Sequence, residues 1–433
     1  MKELSIAARS GSVAAWGRWY TLAILTAVYI SNIADRFVIS TLLEPIKREL
    51  QLSDSAMGFL TGTALAIFYT GMGLPLGLLA DRVNRRNLLA VATFIWSIMT
   101  AACGAAQSFP QLLLARIGVG VGEAGGTPAS QSMISDLFSL QQRPLATSIF
   151  ALGAAAGSML GAISGGAVND AFGWRAAFYA LAIPGIVLAL LVRLTISEPD
   201  RGVHDSGLLA RDTPRIGEVL QFIREQRSLL HVLAGSTVVT FWGWGLLWWT
   251  PAFLSRSYAL TPGQAGELIG TISGIAGSLG IIAGALITHK LARRDPRWQT
   301  WIVASATLFG TLVSFLGYST RSQSMTELML WLFVPCAYIN IGPMLALTQS
   351  LVLPRMRGLS CAILLFVANI ANLAVAPQVI GIASDVLSSK LDLNKESLRY
   401  ALIGTTVSGL WAAYHWWAAG KYMAEDLRRV SGE

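Results

Sequence analysis

The sequence predicts an all-α membrane protein of twelve transmembrane helices, and three observations support this. Of its 433 residues, 54% are hydrophobic and only 13% are charged, whereas soluble globular chains carry roughly 25% charged residues. The apolar residues group into twelve stretches, each close to the roughly 20 residues that cross a bilayer as a helix. Polar residues concentrate between these stretches. Together these features exclude a soluble, collagen-like or disordered chain.

The twelve apolar segments follow one another with short connections. They cover residues 19–41, 55–80, 87–107, 110–136, 145–168, 174–196, 229–255, 264–289, 299–319, 325–351, 357–385 and 397–422. A longer polar stretch separates the sixth segment from the seventh. The sequence therefore predicts a cytoplasmic N-terminus over 1–18, six-helix bundles over 19–196 and 229–422, a cytoplasmic linker over 197–228 and a cytoplasmic tail over 423–433.

The distribution of basic residues predicts that both termini are cytoplasmic. With this orientation, 22 of the 32 lysines and arginines lie on the cytoplasmic side and 8 on the opposite side, as the positive-inside rule requires. The formal net charge of +8 therefore reflects membrane topology, and we expect no nucleic-acid partner. Short loops and a short N-terminus favour a bacterial inner membrane, in which we expect the chain to act as a monomer.

Several patterns argue against chemistry at a catalytic centre. Cys103, Cys336 and Cys361 lie inside apolar segments, and the four histidines are far apart in sequence, which is not typical of a metal site. The glycines from Gly118 to Gly122 follow no strand, so they indicate close helix packing rather than dinucleotide binding. No ATP-binding loop or nucleophile with a neighbouring base is present. We expect no metal, no cofactor and no enzymatic activity.

Four ionisable residues lie inside predicted spans: Asp35 and Arg36 in the first, Arg116 and Glu123 in the fourth. Charges at membrane depth are costly and usually face a bundle interior or a watery cavity. Counting about 1.5 Å per residue puts Asp35 and Arg116 at similar depths, with Glu123 roughly 10 Å further along the fourth helix on nearly the same face as Arg116. These residues are the first candidates for a functional site.

We predict that Arg116 pairs with Asp35 in some conformations and with Glu123 in others, and that protons bound by the two carboxylates select the partner. Burial and the loss of a cationic partner both favour the protonated form of a carboxyl group, so protons would be the coupling ion. Two alternatives stay open. The charges could simply hold the two helices together, and Arg36, about 100° around the helix from Asp35, could extend outward to the head groups.

A second candidate site lies at the cytoplasmic end of the second span, which reads Gly77-Leu-Leu-Ala-Asp81-Arg82-Val-Asn-Arg85-Arg86. The end of the eighth span repeats this pattern weakly as Gly284-Ala-Leu-Ile-Thr288-His289-Lys290, which indicates a duplicated six-helix unit. At this place in a twelve-helix chain, the loop resembles the signature loop of the major facilitator superfamily. The resemblance implies a substrate path between two six-helix halves.

We predict that this loop belongs to a latch that joins the halves when the cytoplasmic side is shut. Asp81 would meet the positive N-terminus of the eleventh helix near Arg357. The latch is asymmetric, because Thr288 stands in the second half where Asp81 stands in the first. The alternative is that the basic residues only fix topology. The complete predicted set is Gly77, Asp81, Arg82, Arg85, Arg86, Asp136 and Arg143.

Further motifs of the first half resemble the spinster-type lipid transporters within this superfamily. They are Asn32-Ile-Ala-Asp35-Arg36-Phe37, the stretch from Arg116 to Ala124, Asp136-Leu137-Phe138 and Gln142-Arg143. The resemblance implies an amphipathic lipid as substrate, either a lysophospholipid or a sphingoid-type lipid.

The predicted cavity has one charged wall and one wall that is neutral and aromatic, which suits an amphipathic molecule. Phe241, Trp244 and Trp248 share one face of the seventh helix, although Trp248 could instead belong to an interfacial belt. Four intramembrane amides complete the predicted substrate-binding residues, and each could instead form an interhelical hydrogen bond. They are Asn32, Asn340, Asn369 and Asn372, the last two one helical turn apart.

These observations favour a proton-coupled secondary active transporter that moves an amphipathic lipid by alternating access. One alternative is a proton-linked carrier of a small organic anion or drug, for which a buried basic residue in the second half would be expected. From a different class, a lipid scramblase or a membrane receptor would need no titrating switch.

Overall fold

The computed structural model describes residues 2–80, 82–139, 141–201 and 214–431, and these residues form helices and connections without a β-strand. The predicted all-α class is therefore confirmed. The helices before the central connection are α1 Lys2–Thr41, α2 Leu43–Leu50, α3 Asp54–Gly58, α4 Ala64–Ala80, α5 Arg85–Ala105, α6 Phe109–Ala124, α7 Gly126–Leu137, α8 Arg143–Phe172 and α9 Trp174–Thr195. Those that follow are α10 Ile216–Glu225, α11 Arg227–Tyr258, α12 Pro262–Ala292, α13 Trp298–Ser319, α14 Gln323–Tyr338, α15 Ile341–Ser350, α16 Arg357–Asn369, α17 Ala376–Leu391, α18 Ser397–Thr406 and α19 Ser408–Ser431.

Ten helical stretches of the described chain are long and apolar enough to cross a membrane. The other two predicted segments, 110–136 and 397–422, are also helical, as α6 with α7 and α18 with α19. Many large apolar side chains on the helices face outward, among them Leu114 and Leu194. A water-soluble protein buries most such surface, whereas lipid covers it. The count of twelve spans and the side of the termini stay predictions.

Two short helices lie where the sequence predicts only polar connections. One is α2, between the first two spans. The other is α10, inside the predicted linker, where Val219 and Ile223 are four residues apart and both buried. Residues at this spacing share a helical face, and this face packs on a cluster that includes Leu229 and Leu364. A short amphipathic stripe within a charged segment is therefore enough to order α10.

Helix α8 packs along both α1 and α12 and so connects a helix of the first set, α1–α9, to one of the second set, α11–α19. The approach is close because glycines replace larger residues at the contacts. A Cβ on Gly161 would overlap the carbonyl group of Ala34, and a Cβ on Gly266 would overlap that of Ala162. This close packing holds the part of α1 around Asp35 in a fixed position.

Two π-helical segments face each other between the sets. Phe59–Thr63 continues α3 into α4, and Ile370–Val375 continues α16 into α17. The Thr63 hydroxyl donates a 2.9 Å hydrogen bond to the carbonyl oxygen of Ala374. Gly62 is required at this crossing, because a Cβ there would overlap the Leu373 carbonyl oxygen. π-helical turns are rare and often occur at functional sites.

The bundle has two ends, which are named here by position. The proximal end holds Trp16 and the connection between α4 and α5. The distal end holds the end of α1 at Thr41, the start of α3, and the ends of α11 and α17. In the predicted topology the proximal end faces the cytoplasm.

Candidate functional site

Asp35 lies on α1 in the middle of the bundle and is 2% exposed. Its Oδ2 accepts a 2.7 Å hydrogen bond from the Thr100 hydroxyl of α5. Its Oδ1 is buried and accepts no hydrogen bond in the described part of the chain. A buried carboxylate with one neutral donor and no ion pair is costly to keep charged.

Arg36, the neighbour of Asp35, turns inward and binds Glu123 of α6. Its Nε donates a 2.7 Å hydrogen bond to Glu123 Oε2, and its guanidinium lies 4.5 Å from the ring centre of Tyr69. Both contacts stabilise the cation away from water. Of the two positions that the sequence leaves open for Arg36, the structure therefore shows the inward one. The second oxygen of Glu123, Oε1, has no hydrogen-bond partner among the described residues.

Arg116 is fully buried but pairs with neither predicted carboxylate in this conformation. Its three guanidinium nitrogens donate to no acceptor among the described residues, although its charge is close enough to act on Asp35 and on the Cys103 thiol. Seven residues separate Arg116 from Glu123, about 10 Å along a helix, so a cation from another helix meets Glu123 instead. In this conformation Glu123 therefore binds Arg36, and its pairing with Arg116 in other conformations stays a prediction.

Glycines let α6 approach its neighbours closely around these charges, as the sequence predicts. A Cβ on Gly122 would lie 2.8 Å from the backbone nitrogen of Trp96 on α5, and one on Gly120 would lie 3.0 Å from the Leu65 carbonyl oxygen on α4. Such short distances leave no room for a side chain. The position of Glu123 against α1 therefore depends on backbone-to-backbone packing.

An aromatic cluster faces the charged residues across the two sets. The ring of Phe37 lies 6.1 Å from that of Trp244 and 5.7 Å from that of Trp248, and Trp244 lies 5.0 Å from Tyr338. Trp248 is 4% exposed, so it does not belong to an interfacial belt. Trp242 points elsewhere, against Phe333, and does not join the cluster.

The predicted amides divide into buried and half-buried pairs. Asn32 and Asn340 are buried, and each has an Oδ1 without a hydrogen-bond partner among the described residues. Asn32 lines a cavity of about 10 Å³, close to the smallest volume that holds one water. Asn369 and Asn372, like Phe241, are half-buried. Because the π-helical segment begins directly after Asn369, its wider turn changes the one-turn spacing expected for an α-helix.

Of the predicted latch, Arg85 and Arg86 bind within the first set and the segment that follows it. The buried Arg85 forms ion pairs with Asp136 and with Glu198, the latter at 2.8 Å. The Arg86 backbone N–H donates to Glu198 Oε2 at 2.8 Å, and its Nη1 donates to the Ile196 carbonyl at 3.3 Å. These contacts fix the connection between α4 and α5 against the end of α9.

Among the described residues, neither Gly77 nor the segment 82–86 forms a hydrogen bond or ion pair with the second set in this conformation. Asp81 lies outside the described residues. Within 82–86, no hydrogen bond or ion pair reaches Arg357, whose Nε instead donates to the Gln349 carbonyl at 3.0 Å. Arg143 donates to the Ser135 carbonyl at 2.7 Å, and a Cβ on Gly77 would meet no atom within 4 Å. The proximal end is thus less tightly joined than the distal end.

At the distal end a charged cluster that the sequence analysis missed joins the two sets. Arg256 of α11 donates from Nη1 and Nη2 to the two oxygens of Asp54, at 2.7 and 2.6 Å, and from Nε to Glu44 Oε1 at 2.6 Å. Lys47 Nζ lies 2.5 Å from Asp54 Oδ1. Asp385 of α17 accepts from the backbone N–H groups of Asp54 and Ser55 at 3.0 and 2.8 Å. The sequence gives one signal only, acidic residues on either side of a short connection.

Two of the four histidines, far apart in sequence, meet in space. His231 Nδ1 of α11 lies 2.9 Å from His415 Nδ1 of α19. No group of three or more potential metal ligands occurs among the described residues.

Comparisons with known proteins bear on the whole chain. The family model described as Major Facilitator Superfamily matches residues 25–376. An MFS-type efflux pump of Mycolicibacterium smegmatis is 32% identical over 414 residues, 95% of each chain. Protein spinster homolog 1 of Homo sapiens is 28% identical over 388 residues, 84% of this chain and 73% of the human one.

A solved structure agrees with these sequence matches. It is a bacterial homolog of the human lysosomal transporter Spinster in an inward-facing, unoccupied conformation, with a TM-score of 0.85 and 27% identity over 94% of this chain and 98% of that chain. The occupied, inward-facing form of a bacterial homolog has a TM-score of 0.83 and 26% identity, covering 95% of this chain and 98% of that one.

Proposed function

Since the chain belongs to the major facilitator superfamily and is a Spinster-like transporter, we propose that it carries an amphipathic lipid by proton-coupled alternating access. The substrate is a lysophospholipid or a sphingoid-type lipid. The transporter has twelve spans in two six-helix halves, and both of its termini are cytoplasmic. The observation that carries the proposal is the central charge set, in which, among the described residues, Asp35 has no ion pair and Arg116 has no carboxylate partner.

The distribution of contacts supports an inward-facing state. At the distal end Arg256 holds Asp54 and Glu44 across the two sets. At the proximal end Arg85 and Arg86 bind Glu198, in the segment that directly follows their own set. A carrier joined at one end and looser at the other is in one of the two states that alternating access requires.

Protons supply the coupling in this proposal. A buried Asp35 without a cationic partner takes up a proton most readily in the conformation observed here. When the proximal end closes, Arg116 becomes its partner and favours the release of that proton. In another conformation of the cycle Arg116 leaves Asp35, and Glu123 then exchanges Arg36 for Arg116. The two carboxylates thus link a change of helix packing to a change of charge.

The nature of the two walls supports an amphipathic substrate. Asp35, Arg116 and Glu123 all come from the first set, whereas Phe241, Trp244 and Trp248 with the neutral amides come mainly from the second. A charged or polar head group is attracted to the first wall, and an apolar chain packs against the aromatic one.

The similarity to the efflux pump of Mycolicibacterium smegmatis supports export as the direction of transport. A second candidate function is proton-linked efflux of a small organic molecule.

Reconstitution into proteoliposomes tests proton coupling. Uptake of a panel of lysolipids is measured with and without an imposed pH gradient, and lipid exchange is measured without one. We expect Asp35→Asn and Glu123→Gln to abolish the stimulation by the gradient while exchange continues. Glu267→Gln, which removes an exposed carboxylate, should keep the stimulation. Unchanged stimulation in both central variants would exclude these residues from coupling.

The chain-length dependence of a Trp244 variant tests the lipid assignment. Trp244→Ala removes the ring that contacts Phe37 and Tyr338, and each methylene group that loses contact weakens binding by about 0.8 kcal/mol. We therefore expect a larger loss of transport for long-chain than for short-chain lysolipids. Equal losses for both, or transport of small organic anions in place of lysolipids, would favour the second candidate function.

A further inference from the structure

A second cavity lies at the distal end, away from the central charges. Its volume is about 970 Å³, and residues of both sets line it. The first set contributes α2 and the end of α8. The second set contributes the ends of α11 and α17, the start of α12 and the connection between α17 and α18. The central charges of the proposed transport cycle do not reach this cavity, although Arg256 and Glu44 of the distal cluster line it.

The charges around the cavity are mostly positive. Its lining includes four cations, Lys47, Arg48, Arg256 and Lys395. Among the described lining residues, Glu44 is the single carboxylate. That carboxylate already accepts from Arg256 at 2.6 Å. The wall therefore carries an excess of positive charge, which raises the local concentration of anions.

Two of these cations have no ionic partner in the described part of the chain. Arg48 of α2 and Lys395 of the α17–α18 connection are exposed and form no ion pair among the described residues. Lys47 and Arg256, by contrast, are held by Asp54 and Glu44. A bound anion would meet two cations that need not leave a carboxylate first.

We propose that this distal cavity binds a phosphate group between Arg48 and Lys395, and that the bound phosphate stabilises the conformation in which the distal end is joined. A guanidinium presents paired donors to phosphate oxygens, and an ammonium adds a point charge. The two cations belong to different sets, so they repel each other when the sets meet, and an anion between them removes this repulsion. Phosphate groups occur both in lipid head groups and as free phosphate. Both have access to the cavity, because it opens at the distal end of the bundle.

Binding to the purified full chain in detergent tests this proposal without any proton gradient. The probes are inorganic phosphate, lysophosphatidic acid and, as a neutral lipid, monoacylglycerol. The variant is Arg48→Gln with Lys395→Gln, and the control is Arg321→Gln, which removes an exposed charge of the connection between α13 and α14 without lining the cavity. Dissociation constants and the midpoint of thermal unfolding are measured for each.

We expect at least one phosphate-bearing probe to raise the unfolding midpoint of the unchanged protein. The dissociation constant of that probe should rise about tenfold in the double variant and stay the same in the control. A tenfold rise is the effect of losing charge-assisted hydrogen bonds that are partly screened by water. Binding of inorganic phosphate identifies a free anion as sufficient, and binding of lysophosphatidic acid alone identifies a lipid head group.

The proposal fails if neither phosphate-bearing probe stabilises the unchanged protein, or if the double variant binds them as tightly as the control does. Because the assay involves no transport, either failure leaves the proton-coupled function untouched. Conversely, loss of proton coupling in the reconstituted protein says nothing against a distal phosphate site.

Discussion

The distal and central clusters both consist of buried charges, but they differ in how completely those charges are paired. At the distal end Asp54 and Glu44 share Arg256, and every carboxylate oxygen of Asp54 accepts a hydrogen bond. In the centre the Arg116 guanidinium and one oxygen of Asp35 have no hydrogen-bond partner in the described chain. The distal cluster is complete in this conformation, whereas the central cluster is left to be completed by a proton, a substrate or another conformation.

The largest expected effect comes from removing Arg256, because the distal cluster would keep two carboxylates without their main cation. Breaking one side of a buried pair costs about 3 kcal/mol or more, which shifts a two-state equilibrium more than a hundredfold. We expect Arg256→Met to separate the sets at this end. Spin labels at Gln111 and Lys390 in a cysteine-free background would report the change as a longer distance. An unchanged distance distribution would show that the π-helical crossing alone holds this end.

A paired comparison of Arg36→Met and Arg116→Met tests whether the central charges are truly unequal. Losing Arg36 leaves Glu123 without its ion pair, so we expect the free energy of unfolding to fall by about 3 kcal/mol. Losing Arg116 removes a buried cation that has no carboxylate partner among the described residues, so the free energy of unfolding should be unchanged or higher. Thermal unfolding of both variants in the same detergent measures the difference. Equal destabilisation would contradict the pairing described here.

A smaller effect is expected from Lys47, the outermost member of the distal cluster. Its side chain is 26% exposed, and Asp54 keeps two hydrogen bonds from Arg256 without it. Exposed pairs contribute up to about 1 kcal/mol. We expect Lys47→Gln to change the same spin-label distance distribution far less than Arg256→Met does. If the two variants behave alike, then net charge and not the Arg256 geometry closes the distal end.

The sequence predicts the all-α class and places the central charges inside apolar segments, because both depend on composition along the chain. A helix that crosses lipid must be apolar over its length, and a charge such as Asp35 or Glu123 within such a stretch is conspicuous. Which cation binds Glu123 is a different matter, since it depends on how α1 is rotated against α6. The close packing of Gly161 on Ala34 contributes to that rotation, and no local pattern reveals it.

The distal cluster could not be predicted from the sequence for the opposite reason. Glu44, Asp54 and Arg256 lie near the ends of apolar segments, where charged residues are common and need no special explanation. Asp54 and Arg256 are 202 residues apart in the chain, so only the tertiary fold brings them together. Residues that matter through their pairing across a long separation are invisible to arguments from composition and spacing.

The two π-helical segments, Phe59–Thr63 and Ile370–Val375, give the crossing between the sets a property that straight α-helices lack. Each accommodates one extra residue, because its backbone hydrogen bonds span five residues where those of an α-helix span four. If that extra residue migrates along its helix, the stretch it passes rotates by about 100° without any loss of helical hydrogen bonding overall. Movement of the π-helical turn thus changes the orientation of the side chains that face the substrate path, and the segment stays helical within the membrane.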